Sequence, residues 1–228
     1  MPRFEKPYYT LTSRTDKKIT IDVTSSVSPG LPPHSIVEDE IIPWLRDRDA
    51  NRILDFGAGA LRHTFPFLDA GFEVCAVEFE ETFARPACAE MLAKASKNAN
   101  FSALVWPRDF LRSRRRFDAA LLCYVLQVMP VETERHVVIE EIAKHLDEDG
   151  YLLYMSRFGQ ITADDAKHRV KDGHYRWPER ELHTFYREFT LDETQTMFRR
   201  RGFTRIRSLG LRGTEQIYFY TLGDGRWI

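Results

Sequence analysis

A glycine-rich turn and a carboxylate further along the chain are the residues whose types and spacing best suit chemistry. The turn is the segment DFGAGA at residues 55–60, which completes a short apolar run. Two glycines let the backbone approach a ligand closely, and the helix expected after them adds free amide donors. Glu78 ends the next apolar run, nineteen residues after Gly59, where a carboxylate can accept hydrogen bonds from ribose hydroxyls. Together they predict a site for a nucleoside-type cofactor.

The residues around the turn disfavour a dinucleotide. A dinucleotide-binding turn has a third glycine, and its place is taken here by Arg62. Asp55 puts a negative charge just before the turn, where it would repel a pyrophosphate. A cofactor with a cationic amino-acid part and no phosphate fits this turn better, which leaves a nicotinamide-dependent oxidoreductase as a weaker alternative.

Strands and helices that alternate along the chain must position these residues. Apolar runs predict buried strands, and the segments between them predict helices, one of them kinked at Pro43. The predicted strands are residues 52–56, 72–78, 102–106, 117–125 and 150–156, and the predicted helices are residues 36–48, 80–97 and 132–146. This alternation indicates a parallel sheet covered on both sides.

The last part of the chain predicts a helix followed by an antiparallel hairpin. Thr190 and Glu193 have the spacing of a capping box, and Gly202 is suited to end the helix. Two β-rich segments follow at residues 204–209 and 216–222. The order is therefore five parallel strands, a helix and a hairpin.

Three regions are predicted along the chain. Residues 1–35 are polar, end in SSVSPGLPPHS, and predict an irregular arm. Residues 36–228 form the main domain, which carries a long insert at residues 157–189 after its fifth strand. We hypothesise that the insert and the arm together form a lid over the substrate pocket.

From about residue 36 to the C-terminus, the sequence resembles the class I S-adenosylmethionine-dependent methyltransferases. The resemblance depends on RILDFGAGA at residues 52–60, on Glu78, and on the order of five strands and a hairpin. It implies an α/β, Rossmann-like, doubly wound sheet of seven mostly parallel strands with an antiparallel last strand. It also implies S-adenosylmethionine as the cofactor and methyl transfer as the reaction. The sequence departs from the family pattern at three positions. Leu61 stands where the family usually has a glycine, and Pro66 and Pro86 fall inside the helices expected after the first and second strands.

The resemblance also implies roles for particular residues. The turn would line the methionine part of the cofactor, Glu78 would hold the ribose, Asp109 with Phe110 would contact the adenine, and Cys123 with Tyr124 would face the reacting methyl. The predicted cofactor-binding residues are therefore Asp55, Gly57, Ala58, Gly59, Glu78, Asp109, Phe110, Cys123 and Tyr124.

The acceptor-binding residues are expected in the insert, where His174, Tyr175 and Trp177 are the predicted substrate contacts. Methyl transfer from a sulfonium needs a general base only if the acceptor is protonated, so no catalytic residue is assigned. The candidates for a base are His168, His174, Tyr175, Trp177, His183, Tyr186 and Tyr124. The spacing of the three insert histidines matches no common ligand pattern, so no metal is predicted.

Composition narrows the class of partner. Basic and acidic side chains number 33 and 34, so the net charge is -1 and no overall field attracts nucleic acid or membrane. The three cysteines are too scattered for a disulfide framework, and no apolar stretch is long enough to span a membrane, which predicts a cytoplasmic protein. We expect a small-molecule acceptor. The absence of a (D/N)PP(Y/F) motif argues against amino-methylation of DNA bases.

Two alternatives stay open. An RNA or protein methyltransferase would use the basic cluster at residues 112–116. A binding module without catalysis would hold S-adenosylmethionine and transfer nothing. The sequence leaves the acceptor, the pathway and the oligomeric state open.

Overall fold

The computed structural model describes residues 7–27 and 30–223, which form two β-sheets and six α-helices. Residues 1–6 and 28–29 of the predicted arm and residues 224–228 of the predicted domain lie outside the described residues. The strands are β1 Tyr8–Thr12, β2 Lys18–Asp22, β3 Arg52–Phe56, β4 Glu73–Phe79, β5 Phe101–Trp106, β6 Phe117–Cys123, β7 Leu146–Arg157, β8 Arg169–Val170, β9 Gly173–Arg176, β10 Leu182–Tyr186, β11 Phe203–Arg212 and β12 Glu215–Leu222. The α-helices are α1 Ile42–Arg46, α2 Thr64–Asp69, α3 Glu80–Phe83, α4 Pro86–Ala95, α5 Glu132–His145 and α6 Leu191–Arg199.

The larger sheet has seven strands in the order β11-β12-β7-β6-β3-β4-β5. Five neighbouring strands, from β7 to β5 in that order, are parallel, while β12 runs antiparallel to β7 and to β11. This confirms the predicted doubly wound sheet and its terminal hairpin. The central strands are continuous apolar runs because both faces are covered, and Leu54, Cys75 and Ala120 are fully buried.

The helices follow the sequence signals closely. Val138 and Ile142, one turn apart on α5, are buried against the sheet. Thr190 and Glu193 form the predicted capping box at the start of α6. Pro43 lies at the start of α1, after a π-helical turn at Val37–Ile41 that produces the expected irregularity. Pro86 divides the predicted helix at residues 80–97 into α3 and α4.

The arm and the insert, which were predicted to form a lid together, pair with each other in the smaller sheet. Its order is β1-β2-β10-β9-β8, so two strands come from the arm and three from the insert. The prediction of an irregular arm is therefore wrong for these residues. The arm forms β2 because Ile19 and Ile21 alternate with polar residues and bury one face against the insert, in a cluster with Phe185.

Two groups of charged side chains attach this sheet to the main domain. Asp172, in the turn between β8 and β9, is bound by the guanidinium groups of Arg135 on α5 and of Arg187. At the other end, Arg85 donates to Asp22 at 3.0 Å and to Thr24 at 2.6 Å. The arm and the insert are thus each held to the main domain by an arginine–aspartate pair.

Candidate functional site

The glycine turn connects β3 to the segment before α2, and its backbone requires glycine at one position. Gly57 has a φ of +73°, and a Cβ there would lie 2.3 Å from Cγ2 of Val125. The amides of Gly57 and Ala58 donate to the carbonyl of Val77 at 2.8 and 3.2 Å. The turn is therefore fixed to the end of β4 and leaves no room for a side chain at residue 57.

Glu78 lies at the end of β4 and faces this turn. Its Oε2 accepts from the Gly59 amide at 3.0 Å, and its Oε1 accepts from the Phe79 amide at 2.8 Å. Burial raises the pKa of the Glu78 carboxyl, and these two amides oppose the rise. Because a carboxylate has about four lone-pair positions, both oxygens can still accept bonds from a ligand.

Asp55 precedes the turn and is almost fully buried, with 3% of its surface exposed. The Thr64 hydroxyl donates to its Oδ2 at 2.6 Å. Burial raises the pKa of Asp55 to about 6, although the Thr64 bond and the charge of Arg62 act in the other direction. Asp55 therefore changes charge near neutral pH, unlike an exposed aspartate.

A cavity of about 330 Å³ lies at the carboxyl ends of the parallel strands, between the main sheet and the smaller sheet. It includes the position where the strand order reverses, between β3 and β6, which is where open α/β sheets bind ligands. The predicted site residues that line it are Asp55, Gly57, Ala58, Gly59, Glu78, Cys123, Tyr124 and Trp177. The structure thus brings together most of the residues that the sequence proposed.

Asp109 and Phe110, assigned to the adenine, do not line this cavity. The Asp109 carboxylate binds Arg108 and accepts from the Val105 amide at 3.3 Å. The Phe110 ring is fully buried in the core and stacks on His145 with centroids 4.1 Å apart. The aromatic residue of this segment that reaches the cavity is Trp106, four residues earlier.

His174 and Tyr175, two of the three predicted substrate contacts, also do not line the cavity. Tyr175 packs in the core of the smaller sheet, and its hydroxyl lies 3.3 Å from Nδ1 of His168. His174 is buried, with 7% of its surface exposed. The insert reaches the cavity through other residues, which are Arg176, Trp177, Thr184, Phe185 and Tyr186.

Three arginines and a histidine of the cavity were missed as site residues. Arg62 and His63 follow the turn, Arg157 ends β7, and Arg176 ends β9. Arg157 carried a usable signal, because it is a lone cation directly after a buried strand. The others carried none, since their approach depends on the fold of the insert and of the turn.

His63 is a neutral side chain at the edge of this group. Burial lowers its pKa to about 3, and the charges of Arg62 and His34 add to the effect. Nε of Arg62 donates to Nε2 of His63 at 3.1 Å, so this ring nitrogen is an acceptor. His63 is therefore uncharged at neutral pH, and its Nε2 lone pair is occupied by the Arg62 guanidinium.

Tyr124 lies directly after β6 in a strained backbone conformation. Its φ is +61°, which is costly for a residue with a side chain and is typical of functional sites. The guanidinium carbons of Arg62 and Arg157 lie 5.5 and 5.2 Å from its ring centroid. Its hydroxyl is buried and has no hydrogen-bond partner among the described residues.

Other types of site find no support within residues 7–27 and 30–223. No group of three metal-ligating side chains is found there. None of the helices described is long and apolar enough to cross a membrane.

Comparison with known proteins gives a consistent result. Residues 54–152 match the family described as Methyltransferase domain. No curated protein sequence matches the chain. Among solved structures, a 1,6-didemethyltoxoflavin N1-methyltransferase from Burkholderia thailandensis, with S-adenosylhomocysteine bound, shares 21% identity with a TM-score of 0.61, covering 82% of this chain and 79% of its own.

Two further structures show the same fold. An amino pentose methyltransferase from Micromonospora echinaspora, with S-adenosylmethionine bound, is 18% identical with a TM-score of 0.58, covering 85% of this chain and 92% of its own. A methyltransferase from Clostridium acetobutylicum is 11% identical with a TM-score of 0.63, covering 88% of this chain and 94% of its own. At these identities the likeness concerns the fold.

Proposed function

Because this chain contains a methyltransferase domain of the S-adenosylmethionine-dependent class I family, we propose that it transfers a methyl group from S-adenosylmethionine to a small-molecule acceptor. One observation carries the proposal: the glycine turn and Glu78 line the same cavity as Trp177, Phe185 and Tyr186 of the insert. A single cavity therefore offers a cofactor end and an acceptor end in contact.

The residues at the cofactor end suit S-adenosylmethionine. The turn at residue 57 has no space for a side chain, and Glu78 keeps free lone pairs for ribose hydroxyls. Asp55 offers a carboxylate to a cationic group, and among the described residues no third glycine lines the cavity. The roles of Asp55, Glu78 and Tyr124 toward the cofactor are part of this proposal.

The acceptor end favours a small molecule over a nucleic acid. Residues of the smaller sheet line the cavity, whose volume is in the range of small-molecule sites. The basic cluster at residues 112–116 is partly engaged within the protein, since Arg115 binds Glu73 at 2.6 Å and Arg116 donates to the Lys144 carbonyl at 2.6 Å. The toxoflavin and amino pentose enzymes of the same fold act on small molecules, which supports the same preference here.

The chain's own contribution to catalysis is positioning and exclusion of water. When bound, S-adenosylmethionine supplies an activated methyl group on a sulfonium. Tyr124, Trp177 and Tyr186 then orient the acceptor against the cofactor end, which lowers the entropic part of the barrier. Arm residues 23–27 border the same cavity and limit access of water.

Calorimetric titration with S-adenosylhomocysteine and NAD tests the cofactor end. We expect S-adenosylhomocysteine to bind and NAD not to bind, with binding lost in Gly57→Arg and weakened in Glu78→Gln. Arg114→Gln, which changes an exposed residue of the basic cluster, is the matched control and should bind normally.

Transfer of a tritiated methyl group from S-adenosylmethionine to a panel of small acceptors tests the reaction. Turnover that disappears in Gly57→Arg supports the proposal. Tight S-adenosylhomocysteine binding without transfer to any acceptor would favour a non-catalytic binding module. A cytoplasmic location stays a prediction, which localisation of the tagged full-length chain would check.

A further inference from the structure

The charged residues that line the cavity are of both signs. Within the described part of the chain, the acidic lining residues are Asp55 and Glu78. The cationic lining residues are Arg62, shortly after the glycine turn, Arg157 at the end of β7 and Arg176 at the end of β9. The cavity therefore has three guanidinium groups against two carboxylates.

The three arginines differ in how far the protein neutralises them. Arg176 donates to both oxygens of Asp165, at 2.8 and 2.9 Å, so its charge is compensated. Arg157 has only a distant carboxylate, with Nε 3.9 Å from Oε1 of Glu215. Arg62 has no ion pair within residues 7–27 and 30–223, and the histidine beside it is neutral. Positive charge therefore remains at Arg62 and Arg157.

These two arginines converge on Tyr124. Both guanidinium carbons lie within 6 Å of its ring centroid, although the residues are far apart in the sequence. The Tyr124 hydroxyl is buried and has no hydrogen-bond partner in the described structure. The backbone at Tyr124 has a φ of +61°, a strained conformation of the kind found at functional sites. Two guanidinium groups that meet at one place in the cavity lining suit an oxyanion.

The rest of the acceptor end is aromatic. Tyr9, Trp177, Phe185 and Tyr186 line it, and Trp177 is 47% exposed although it is a large apolar side chain. Phe185 and Tyr186 are buried, so Trp177 and the half-buried Tyr9 offer the accessible ring surface, which suits a flat ligand.

We infer that the methyl acceptor is an aromatic oxyanion, a carboxylate or phosphate on a flat ring, whose anionic group binds Arg62 and Arg157 beside Tyr124. The inference rests on the proposed function for the reaction itself. It assigns Arg62 and Arg157 as specificity-determining residues, with Arg176 held by Asp165 as part of the wall.

Calorimetry on the S-adenosylhomocysteine-saturated protein tests the inference with matched probes. The probes are 4-hydroxybenzoate, its uncharged amide 4-hydroxybenzamide, and phenyl phosphate; the carboxylate and the phosphate distinguish the two kinds of oxyanion. We expect at least one anionic probe to bind roughly 10-fold or more tightly than the amide, as hydrogen bonds to charged groups predict. Arg157→Gln and Arg62→Gln should each weaken that probe by about 10- to 100-fold, while Arg114→Gln leaves it unchanged.

Three results would overturn the inference: anionic probes that bind no better than the amide, arginine variants that bind them normally, or an Arg62→Gln protein that loses only S-adenosylhomocysteine affinity. The last result would mean that Arg62 serves the cofactor. Failure of the proposed function is separately visible, because it appears as absent S-adenosylhomocysteine binding in the wild-type protein. In that case the same probes are titrated into the cofactor-free protein, where the preference for the anion still tests the arginine pair.

Discussion

Replacing Asp172 by asparagine should detach the insert from the main domain. The Asp172 carboxylate is shared by Arg135, whose side chain is 1% exposed, and by Arg187, which is 22% exposed. Asparagine keeps the size of the side chain and removes its charge. Arg135 would then be a buried cation that keeps only its bond to the Met129 carbonyl at 2.6 Å.

The size of the effect follows from burial. Removing one partner of a buried ion pair costs about 3–5 kcal/mol. Because the Asp172 side chain is 25% exposed and water can reach it, we expect a loss at or just below the bottom of this range, about 2–3 kcal/mol. Arg187 loses less, since it keeps its bond to Glu193 at 2.8 Å. For a domain of this size, that loss lowers Tm by roughly 4–12 °C.

Urea and thermal unfolding of Asp172→Asn, with Asp164→Asn as the control, measure this loss. Asp164 pairs with Lys167, and both side chains are about 70% exposed, so its replacement should cost less than about 1 kcal/mol. Hydrogen exchange should also accelerate in β8 and β9 of Asp172→Asn and remain unchanged in the central strands. Equal, small losses in the two variants would refute the reasoning, because they would mean that burial of Arg135 adds nothing.

Three other changes give separate tests. Gly57→Ala should destabilise the protein by about 2–5 kcal/mol through backbone strain and steric overlap with Val125. Adding Val125→Ala should relieve the overlap but not the strain, and urea unfolding of both variants would measure the two parts. Asp55 holds its proton more tightly when folded, so stability should fall as pH rises from 4 through about 6, by on the order of 3 kcal/mol. Asp55→Asn should lack this step, and unfolding at pH 4, 5 and 7 would contradict the raised pKa if both proteins changed equally. Arg85→Gln should release the arm and accelerate S-adenosylhomocysteine dissociation by roughly 5- to 30-fold in stopped-flow measurements, whereas an unchanged rate would mean that the arm does not limit release.

The main sheet could be predicted from the sequence because its signals are local. Five apolar runs, the turn at residues 55–60 and the capping box at Thr190 each lie within a few neighbouring residues. The succession of five parallel strands and a hairpin, and the position of Glu78 at a strand end, followed from these signals by the rules for parallel sheets. The structure also shows why the family has a glycine where this chain has Leu61. Leu61 adopts a φ of +61°, a conformation that glycine reaches more easily.

The acceptor end could not be predicted because its residues meet only after long-range folding. Strands β1 and β2 are short, and β2 lies between β1 and β10, so its place in the sheet depends on a strand of the insert far along the chain. Asp109 and Phe110 matched a family pattern by position, but the fold buries the ring against His145 and turns the carboxylate to Arg108. Arg62 and Arg157 converge on Tyr124 from different strand ends, and nothing in their spacing indicates it.

The pairing of β2 with β10 sets an order of events during translation. Ile21 pairs with His183, so the arm leaves the ribosome long before its partner strand exists. At about 5–20 residues per second, this interval is roughly 8–30 s. An apolar edge strand exposed for that time invites aggregation, but Lys18 and Thr20 alternate with the buried isoleucines of β2. The polar side chains that weaken the strand signal of the arm therefore also oppose edge-to-edge pairing before the insert has been made.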